Sequence, residues 1–211
     1  MANWNQRLTT SLSVGGGTPV WAKLPERRIA GGAIKNTLQI GEKVAAGTPV
    51  YFDYVNKEAK FLKCWKIKTA TVSDTNTVLV LYKTFMTPVL YAGAFIMVMP
   101  STMTGTGKAI AVPTITEAAD TYTITVVTAN VDTLANGGFL VESSATAAGS
   151  GKSIYCQPTT LAIEDTIGGD QNDLGIPLGI KYIFENCIPF IPAVVKANIA
   201  LVEWESFNEK V

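Results

Sequence analysis

Short runs of β-branched and aromatic residues recur along this sequence, and turn-forming residues bound each run. Ala59–Ile67 and Thr77–Tyr82 are two such runs within residues 34–100, with Gly, Pro, Asn and Asp between the runs. Turns at intervals of roughly 8 to 12 residues are typical of a β-sandwich or a β-barrel. The same region lacks the apolar period of about 3.6 residues that a helix requires. The sequence therefore predicts an all-β fold with a β-barrel or β-sandwich body.

Later segments continue this pattern. Thr121–Val127 alternates between polar and apolar residues, which predicts a strand with one polar face. Pro88–Met99, Ile154–Pro158 and Asn198–Trp204 are also predicted as strands. Ala145–Gly151 has a low-complexity composition and is predicted as a loop.

The first thirty residues differ from the remainder of the chain. Ser11–Gly17 is small and flexible in composition, and Pro19 and Pro25 disfavour a helix. Trp21 and Leu24 are apolar residues in this otherwise extended stretch. We therefore predict an N-terminal arm over residues 1–30 that docks on its own domain or on a neighbour, the alternative being a partly disordered terminus.

The middle of the chain also differs in composition. Residues 101–153 are rich in Thr, Ala, Ser and Gly and contain few charges. We predict that residues 31–100 and 154–211 form the β-body. Residues 101–153 are then either an inserted β-section or a projecting elaboration of that body.

The charge balance of the chain bears on its partners. Lys and Arg number 17 against 17 Asp and Glu, and only 16% of the 211 residues are charged. A neutral chain lacks the basic surface that binds nucleic acid or an anionic membrane. Low charge with 47% hydrophobic residues indicates a surface covered by neighbouring subunits, because interface cores are depleted of charge. The alternative is a monomer whose surface is covered by polar residues such as its 25 threonines.

Targeting and cysteine signals are weak. Met1–Thr10 is polar and lacks the regions of a signal peptide, and Pro88–Pro100 is too short an apolar run to span a bilayer. Cys64, Cys156 and Cys187 are odd in number and far apart, unlike a disulfide framework. We expect a soluble protein with reduced thiols, made in a cytoplasm.

Most catalytic signatures fail at named positions. The chain contains no histidine, which removes the commonest general base and zinc ligand and excludes Ser–His and Cys–His pairs. Gly151–Ser153 resembles the end of a P-loop, but Thr146 occupies the position where that motif requires its first glycine. Asp170–Gly175 partly resembles a calcium loop, but Lys181 occupies the position of the bidentate glutamate. We predict a protein that is not an enzyme and that has no cofactor and no metal site.

Two weaker hypotheses concern carbohydrates. Glycoside hydrolysis needs two carboxylates roughly 5 to 10 Å apart. The candidates are Glu164, Asp165, Asp170 and Asp173. Exposed aromatic residues could instead stack on a host surface glycan, although such residues are more often core or interface anchors. The candidates are Trp4, Trp21, Trp65 and Trp204.

A group of lysines lies between residues 57 and 68. Their spacing on a strand predicts a solvated edge that resists unwanted pairing, and the alternative is a surface for an acidic partner. The group comprises Lys57, Lys60, Lys63, Lys66 and Lys68.

Three segments in the first 70 residues form a shared pattern. They are Leu24–Ile29 with Ile34–Thr37, then Ile40–Asp53, then Lys60–Lys63. Together they resemble the opening of head decoration and head fibre proteins of tailed phages. In that family the turn equivalent to Gly47–Pro49 leads the chain into a small β-barrel. The resemblance covers about the first 70 residues, and the composition of the middle section is closer to a fibre-like elaboration.

This resemblance implies a structural virion protein on the outside of a bacteriophage capsid. It implies that residues 1–30 anchor the subunit to the major capsid protein and that the subunits form a homotrimer. We expect the anchoring and subunit contacts to include Trp4, Trp21, Leu24, Arg27 and Arg28. The alternative function is a glycan-binding β-module of a phage or bacterial surface protein.

Overall fold

The computed structural model describes residues 21–27, 32–36, 38–39, 42–163, 165–167, 173–174, 177–199 and 202–205. These residues form β-strands, one short α-helix and two 3-10 turns, so the all-β prediction is confirmed. The elements in chain order are β1 (Trp21–Arg27), β2 (Gly32–Ile34), β3 (Lys43–Val44), β4 (Pro49–Asp53), β5 (Glu58–Phe61), β6 (Cys64–Val72), β7 (Asn76–Tyr82), β8 (Phe95–Val98), β9 (Thr106–Ala111), β10 (Ile115–Glu117), β11 (Thr121–Val127), a 3-10 turn (Thr128–Asn130), β12 (Phe139–Glu142), β13 (Gly149–Ser153), β14 (Thr160–Leu161), β15 (Thr166–Ile167), β16 (Asp173–Leu174), β17 (Pro177–Phe184), a 3-10 turn (Glu185–Cys187), α1 (Ala193–Asn198) and β18 (Val202–Glu205).

The largest sheet is antiparallel and has the strand order β10-β11-β7-β6-β12-β8-β9-β13. Strand β6 joins its two halves because it changes partner along its length. Cys64–Lys66 pair with β12, whereas Ile67–Val72 pair with β7, and the register shifts between Ile67 and Thr69. Such an irregularity bends a strand and increases its twist. The bend lets one half of the sheet pack over the other, since buried residues from both halves belong to one apolar cluster.

Strands β8 and β12 are buried on both faces. On β12, Leu140 belongs to the cluster between the two halves, whereas Val141 belongs to a second cluster. Ile96 and Met97 of β8 divide in the same way. Neighbouring residues of a strand point to opposite faces, so this half of the sheet lies between two apolar layers. The other half, formed by β10, β11, β7 and the end of β6, buries one face only.

A second sheet has the strand order β14-β4-β5-β2-β16 and packs around a third apolar cluster. The side chain of Asn36 extends its hydrogen bonding beyond β2. Asn36 Nδ2 donates to the carbonyl of Phe61 at 2.9 Å, and Asn36 Oδ1 accepts from the N–H of Phe61 at 2.9 Å. Because Asn36 is buried, these two bonds satisfy backbone groups that water does not reach.

Two smaller sheets and the helix complete the described fold. Strands β1, β17 and β18 form one sheet, and β15 and β3 form the other. Pro192 has φ −60° at the N-cap of α1, and its carbonyl accepts from Val195 N and Lys196 N at 3.0 Å. The predicted strand Asn198–Trp204 is therefore wrong at its start, because Asn198 ends α1 and β18 begins at Val202.

Three other strand boundaries differ from the sequence-based predictions. Within Pro88–Met99 only Phe95–Val98 is a strand. Gly149–Ser153 is a strand although Ala145–Gly151 was predicted as a loop, and Gly149 and Gly151 have positive φ where β13 meets β9 with a register shift. Ile154 makes an isolated bridge to Ser143, but Ile154–Pro158 is not a regular strand. The predicted strand Thr121–Val127 is confirmed with its alternating burial.

The predicted arm and middle section both contribute strands to shared sheets. Trp21–Arg27 form β1, which pairs with β17, and the remaining residues of the predicted arm lie outside the described residues. Strands β9 to β13 come from the section 101–153. They belong to the same eight-stranded sheet as β6, β7 and β8.

Candidate functional site

Threonine and valine side chains cover the outer face of the half-sheet formed by β10, β11, β7 and the end of β6. On β7, Leu79 and Leu81 are buried, so Val78 and Val80 lie on the opposite, outer face. Residues directly paired across neighbouring strands share a face, so the register defines the outer residues of the other strands. We call this surface the threonine face, and its residues are Thr69, Thr71, Asn76, Val78, Val80, Tyr82, Thr116, Thr121, Thr123, Thr125 and Val127.

The threonine face has an apolar centre. Val78 of β7 lies between Thr125 of β11 and Thr71 of β6. In the next row, Val80 lies between Thr123 of β11 and Thr69 of β6. Val78 is 37% exposed, so the centre of the face is open to solvent.

Charged residues lie beside the threonine face and not on it. Lys68 Nζ is 3.4 Å from Asp120 Oδ2, and Lys83 Nζ is 2.5 Å from Glu117 Oε1. Lys68 Nζ also lies 5.6 Å from the ring centroid of Tyr82. These ion pairs are formed within the subunit, so the charges of Lys68 and Lys83 are already partly neutralised. Lys66 Nζ lies 5.9 Å from the same ring centroid.

A buried ionic cluster lies elsewhere in the fold. Lys63, in the link between β5 and β6, places its Nζ 2.5 Å from Glu42 Oε1, and both side chains are 1% exposed. Among the described residues Lys63 Nζ has no partner with hydrogen-bond geometry, so its contact with Glu42 is an ion pair without a well-directed hydrogen bond. The Nζ also lies 5.2 Å from the ring centroid of Tyr91, where a cation is attracted to the π face.

Glu142 of β12 is the second carboxylate near Lys63. Its Oε2 is buried and has no hydrogen-bond partner among the described residues. Burial raises the pKa of Glu142 to about 7, with Lys63 lowering it and the negative charge of Glu42 raising it. The single ammonium of Lys63 therefore lies near two carboxylates, those of Glu42 and Glu142. Glu142 takes up a proton near neutral pH.

The sequence did not single out this ionic cluster, and the prediction of a solvated lysine edge is wrong for Lys63. Lys57 and Lys68 are exposed, as that prediction requires, whereas Lys60 and Lys66 are half-buried. The neighbours of Lys63 along the chain are Phe61, Leu62, Cys64 and Trp65. A lysine within such an apolar run was the available signal of burial.

Two of the three cysteines are made unreactive by their burial. Cys64 and Cys156 are buried, and burial is the main cause that raises the pKa of both thiols, that of Cys156 to about 12. Their thiols stay protonated at neutral pH, whereas a nucleophile or a metal ligand must be a thiolate. Cys187 is also a free cysteine. Among the described residues no cluster of three or more Cys, Asp or Glu side chains could hold a metal ion.

Asp165 is one of the four predicted carboxylates, and it is engaged in contacts within the fold. Asp165 binds Lys43 through Oδ2 at 2.7 Å and accepts the N–H of Ala46 through Oδ1 at 2.8 Å. These contacts hold the β15–β3 sheet against the turn before β4. Glu164 and Asp170 lie outside the described residues.

The predicted aromatic platform is wrong at Trp65. Trp65 is 1% exposed, and its Nε1 donates to the carbonyl of Pro88 at 2.9 Å. Trp204 packs against the second apolar cluster, with Lys196 Nζ 5.3 Å from its ring centroid. Exposed aromatic side chains lie instead at Tyr54 and Phe85, which are 55% and 77% exposed.

Three of the predicted capsid-binding residues lie on one strand. Trp21, Leu24 and Arg27 belong to β1. Trp4 and Arg28 lie outside the described residues. The role of all five residues in binding stays a prediction.

The turn that carries the phage-protein resemblance requires glycine. Gly47 has φ +86°, and a Cβ at this position would lie 2.4 Å from Ile188 Cγ2. Gly47 N donates to the carbonyl of Ala162 at 2.8 Å, and Ala162 N donates to the carbonyl of Thr48 at 2.9 Å. The turn is therefore fastened to the C-terminal part of the fold before the chain enters β4.

No protein-family model, no curated protein and no solved structure matches this chain. Within the described part of the chain, no helix is both long and apolar enough to cross a membrane.

Proposed function

We propose that this chain is a structural protein of a tailed-phage virion that attaches to the outside of the capsid and associates with copies of itself. The observation that carries the proposal is the threonine face, an exposed and uncharged sheet surface on a chain of zero net charge. Depletion of charge with apolar residues at the centre is the composition of a protein interface. Together with the resemblance to head decoration and head fibre proteins, it supports an assembly role over catalysis.

The mechanism of this proposed function is surface burial. The N-terminal arm binds the major capsid protein, and subunits contact one another, as a homotrimer in the family that the chain resembles. A protein that binds only the assembled capsid stabilises it by mass action. Repeated contacts around a shell add avidity to each weak contact. The protein is made in the host cytoplasm and acts on the capsid surface.

The arm is best tested by a truncation that spares β1. Removing residues 1–30 also removes Trp21–Arg27, which pair with β17, so that deletion changes the fold together with the arm. A variant that begins at residue 21 retains this strand pairing. Its predicted effect is loss of capsid attachment with little change in the free energy of unfolding.

The direct experiment is co-sedimentation with phage heads. The purified chain is mixed with heads that lack it, from the phage whose genome carries its gene. Saturable pelleting with the heads is expected, and the variant that begins at residue 21 stays in the supernatant. A full chain that never pellets at high concentration overturns the proposed function. Binding that survives the truncation, with the fold intact, refutes anchoring by the first twenty residues.

A further inference from the structure

We propose that the threonine face is the surface through which one copy of this chain packs against a second copy. The inference rests on the self-association in the proposed function, and it assigns a two-fold contact between copies, which is distinct from the contacts within a homotrimer. The face belongs to the half-sheet whose inner side is buried in the cluster between the two halves. Its outer side is therefore a rigid surface formed by packed strands.

The chemistry of the threonine face is self-complementary. A threonine hydroxyl both donates and accepts a hydrogen bond, so threonines can pair with threonines across an interface. In a two-fold interface the same patch meets itself, which brings like charges together wherever a patch is charged. The threonine face contains no charged residue, so this repulsion does not arise.

The charged residues around the threonine face also favour a second copy of the chain as its partner. The charges of Lys68 and Lys83 are paired with Asp120 and Glu117 of the same subunit. Lys66 Nζ lies at one corner of the face, 5.9 Å from the ring centroid of Tyr82. A second copy that covers the centre of the face around Val78 and Val80 therefore buries no unpaired charge there, which would be the main energetic obstacle to docking. A charged partner surface would lose water without gaining an opposite charge on this face. These considerations favour a second copy over an acidic or basic partner.

The arrangement of the face fits sheet-on-sheet packing. The centre of the face is the valine pair Val78 and Val80, with threonines on both sides. Two such faces can pack about 10 Å apart, with strands inclined by about 30°. β-branched side chains are already restricted at χ1, so their ordering costs little entropy when the interface forms. The apolar centre and hydroxyl-rich margin match the anatomy of protein interfaces.

The size of the threonine face sets the expected affinity of one copy for another. Four strands spaced by about 4.8 Å and a seven-residue strand rising about 3.4 Å per residue give a projected area of about 450 Å². A standard specific interface buries about 800 Å² per partner. The contact is therefore of the weak, transient size in solution. Many copies held on one shell would make it effective by avidity.

A single substitution at the centre of the face tests the inference. Val78→Glu places one carboxylate from each copy near the middle of the interface, where like charges repel. Val55→Glu is the matched control, because Val55 is 89% exposed in the turn after β4 and lies off the face. Val78→Thr is the neutral control at the same position. Urea unfolding of each variant shows whether the fold is retained.

Sedimentation velocity of the full chain over a wide concentration range gives the readout. The wild type should associate reversibly, and Val78→Glu should weaken association at least about tenfold. Val55→Glu and Val78→Thr should associate as the wild type does. A wild type that stays monomeric, or a folded Val78→Glu variant that associates normally, overturns the inference.

Co-sedimentation with phage heads separates this inference from the proposed function. If Val78→Glu associates normally and still pellets with heads, the interface assignment is wrong and the proposed function stands. If Val78→Glu associates in solution as the wild type does but loses head binding, the face contacts the capsid, which also overturns the inference. If the wild type associates but never pellets, the proposed function fails and the interface assignment stands on the sedimentation result.

Discussion

Replacing Glu142 by glutamine tests the buried ionic cluster, because glutamine has the shape of the protonated acid and does not titrate. The groups that face Glu142 electrostatically are Lys63, Glu42, Cys64, Cys156 and Tyr155. The folded pKa of Glu142 is raised from 4.5 to about 7, chiefly by burial. The protonated Glu142 therefore contributes to the free energy of unfolding. This contribution is fully present below about pH 4.5 and is lost as the pH rises through about 7.

The magnitude follows from the same linkage. One pKa unit corresponds to about 1.4 kcal/mol, so Glu142 lowers the free energy of unfolding by up to about 3 kcal/mol between pH 4.5 and 8. The chain has no histidine, so no other side chain has an unperturbed pKa within this window. Glu142→Gln should match the wild type below about pH 4.5 and exceed its stability by up to about 3 kcal/mol near pH 8.

Urea unfolding followed by tryptophan fluorescence at several pH values between about 4 and 8 measures this difference. Glu117→Gln is the control, because Glu117 is exposed in a surface pair with Lys83. Its effect should stay below about 1 kcal/mol at every pH. A difference between Glu142→Gln and the wild type that does not change with pH would refute the proposed titration.

Two further predictions concern folding stability and use the same unfolding assay. Gly47→Ala should destabilise the fold by about 2 to 4 kcal/mol, because the position combines positive φ with a steric clash. Gly137→Ala, which has positive φ but open space around it, should lose only about 1 kcal/mol, and equal losses would contradict the steric argument. Lys63→Met should destabilise by about 3 to 5 kcal/mol at pH 8, because Glu42 and Glu142 are left without their buried cation. A neutral effect of Lys63→Met at that pH would show that the cluster is not held by charge.

Local sequence patterns predicted some elements and failed at others for identifiable reasons. Thr121–Val127 alternates between polar and apolar residues as far as Val126, and the structure shows that strand with alternating burial. Ala193–Asn198 is only six residues long and contains Val194 and Val195, which are β-branched, so its helix has little local signal beyond Pro192 at its start. Tertiary packing decides in that segment, since Val195 of the helix is buried in the second apolar cluster.

The candidate site was less predictable than the strands. The Thr-rich composition was visible in the sequence, but the threonine face combines residues from four strands between Thr69 and Val127. Their shared face depends on register, which a one-residue shift would invert. Lys63 shows the opposite limitation. Its position in a lysine-rich stretch predicted solvent exposure, and the approach of Glu42 and Glu142 from distant segments made its burial tolerable.

The sequence by itself determined the all-β class, the alternation of Thr121–Val127 and the lack of histidine chemistry, because these depend on residue type and short-range period. Only the tertiary structure decided which neutral face stays open, which lysine is buried and where Trp65 lies. Those outcomes depend on β6 changing partner near Ile67. That change folds one half of the sheet over the other and leaves one side of the β11–β7 half exposed. Only contacts between residues that are distant in sequence can specify this arrangement.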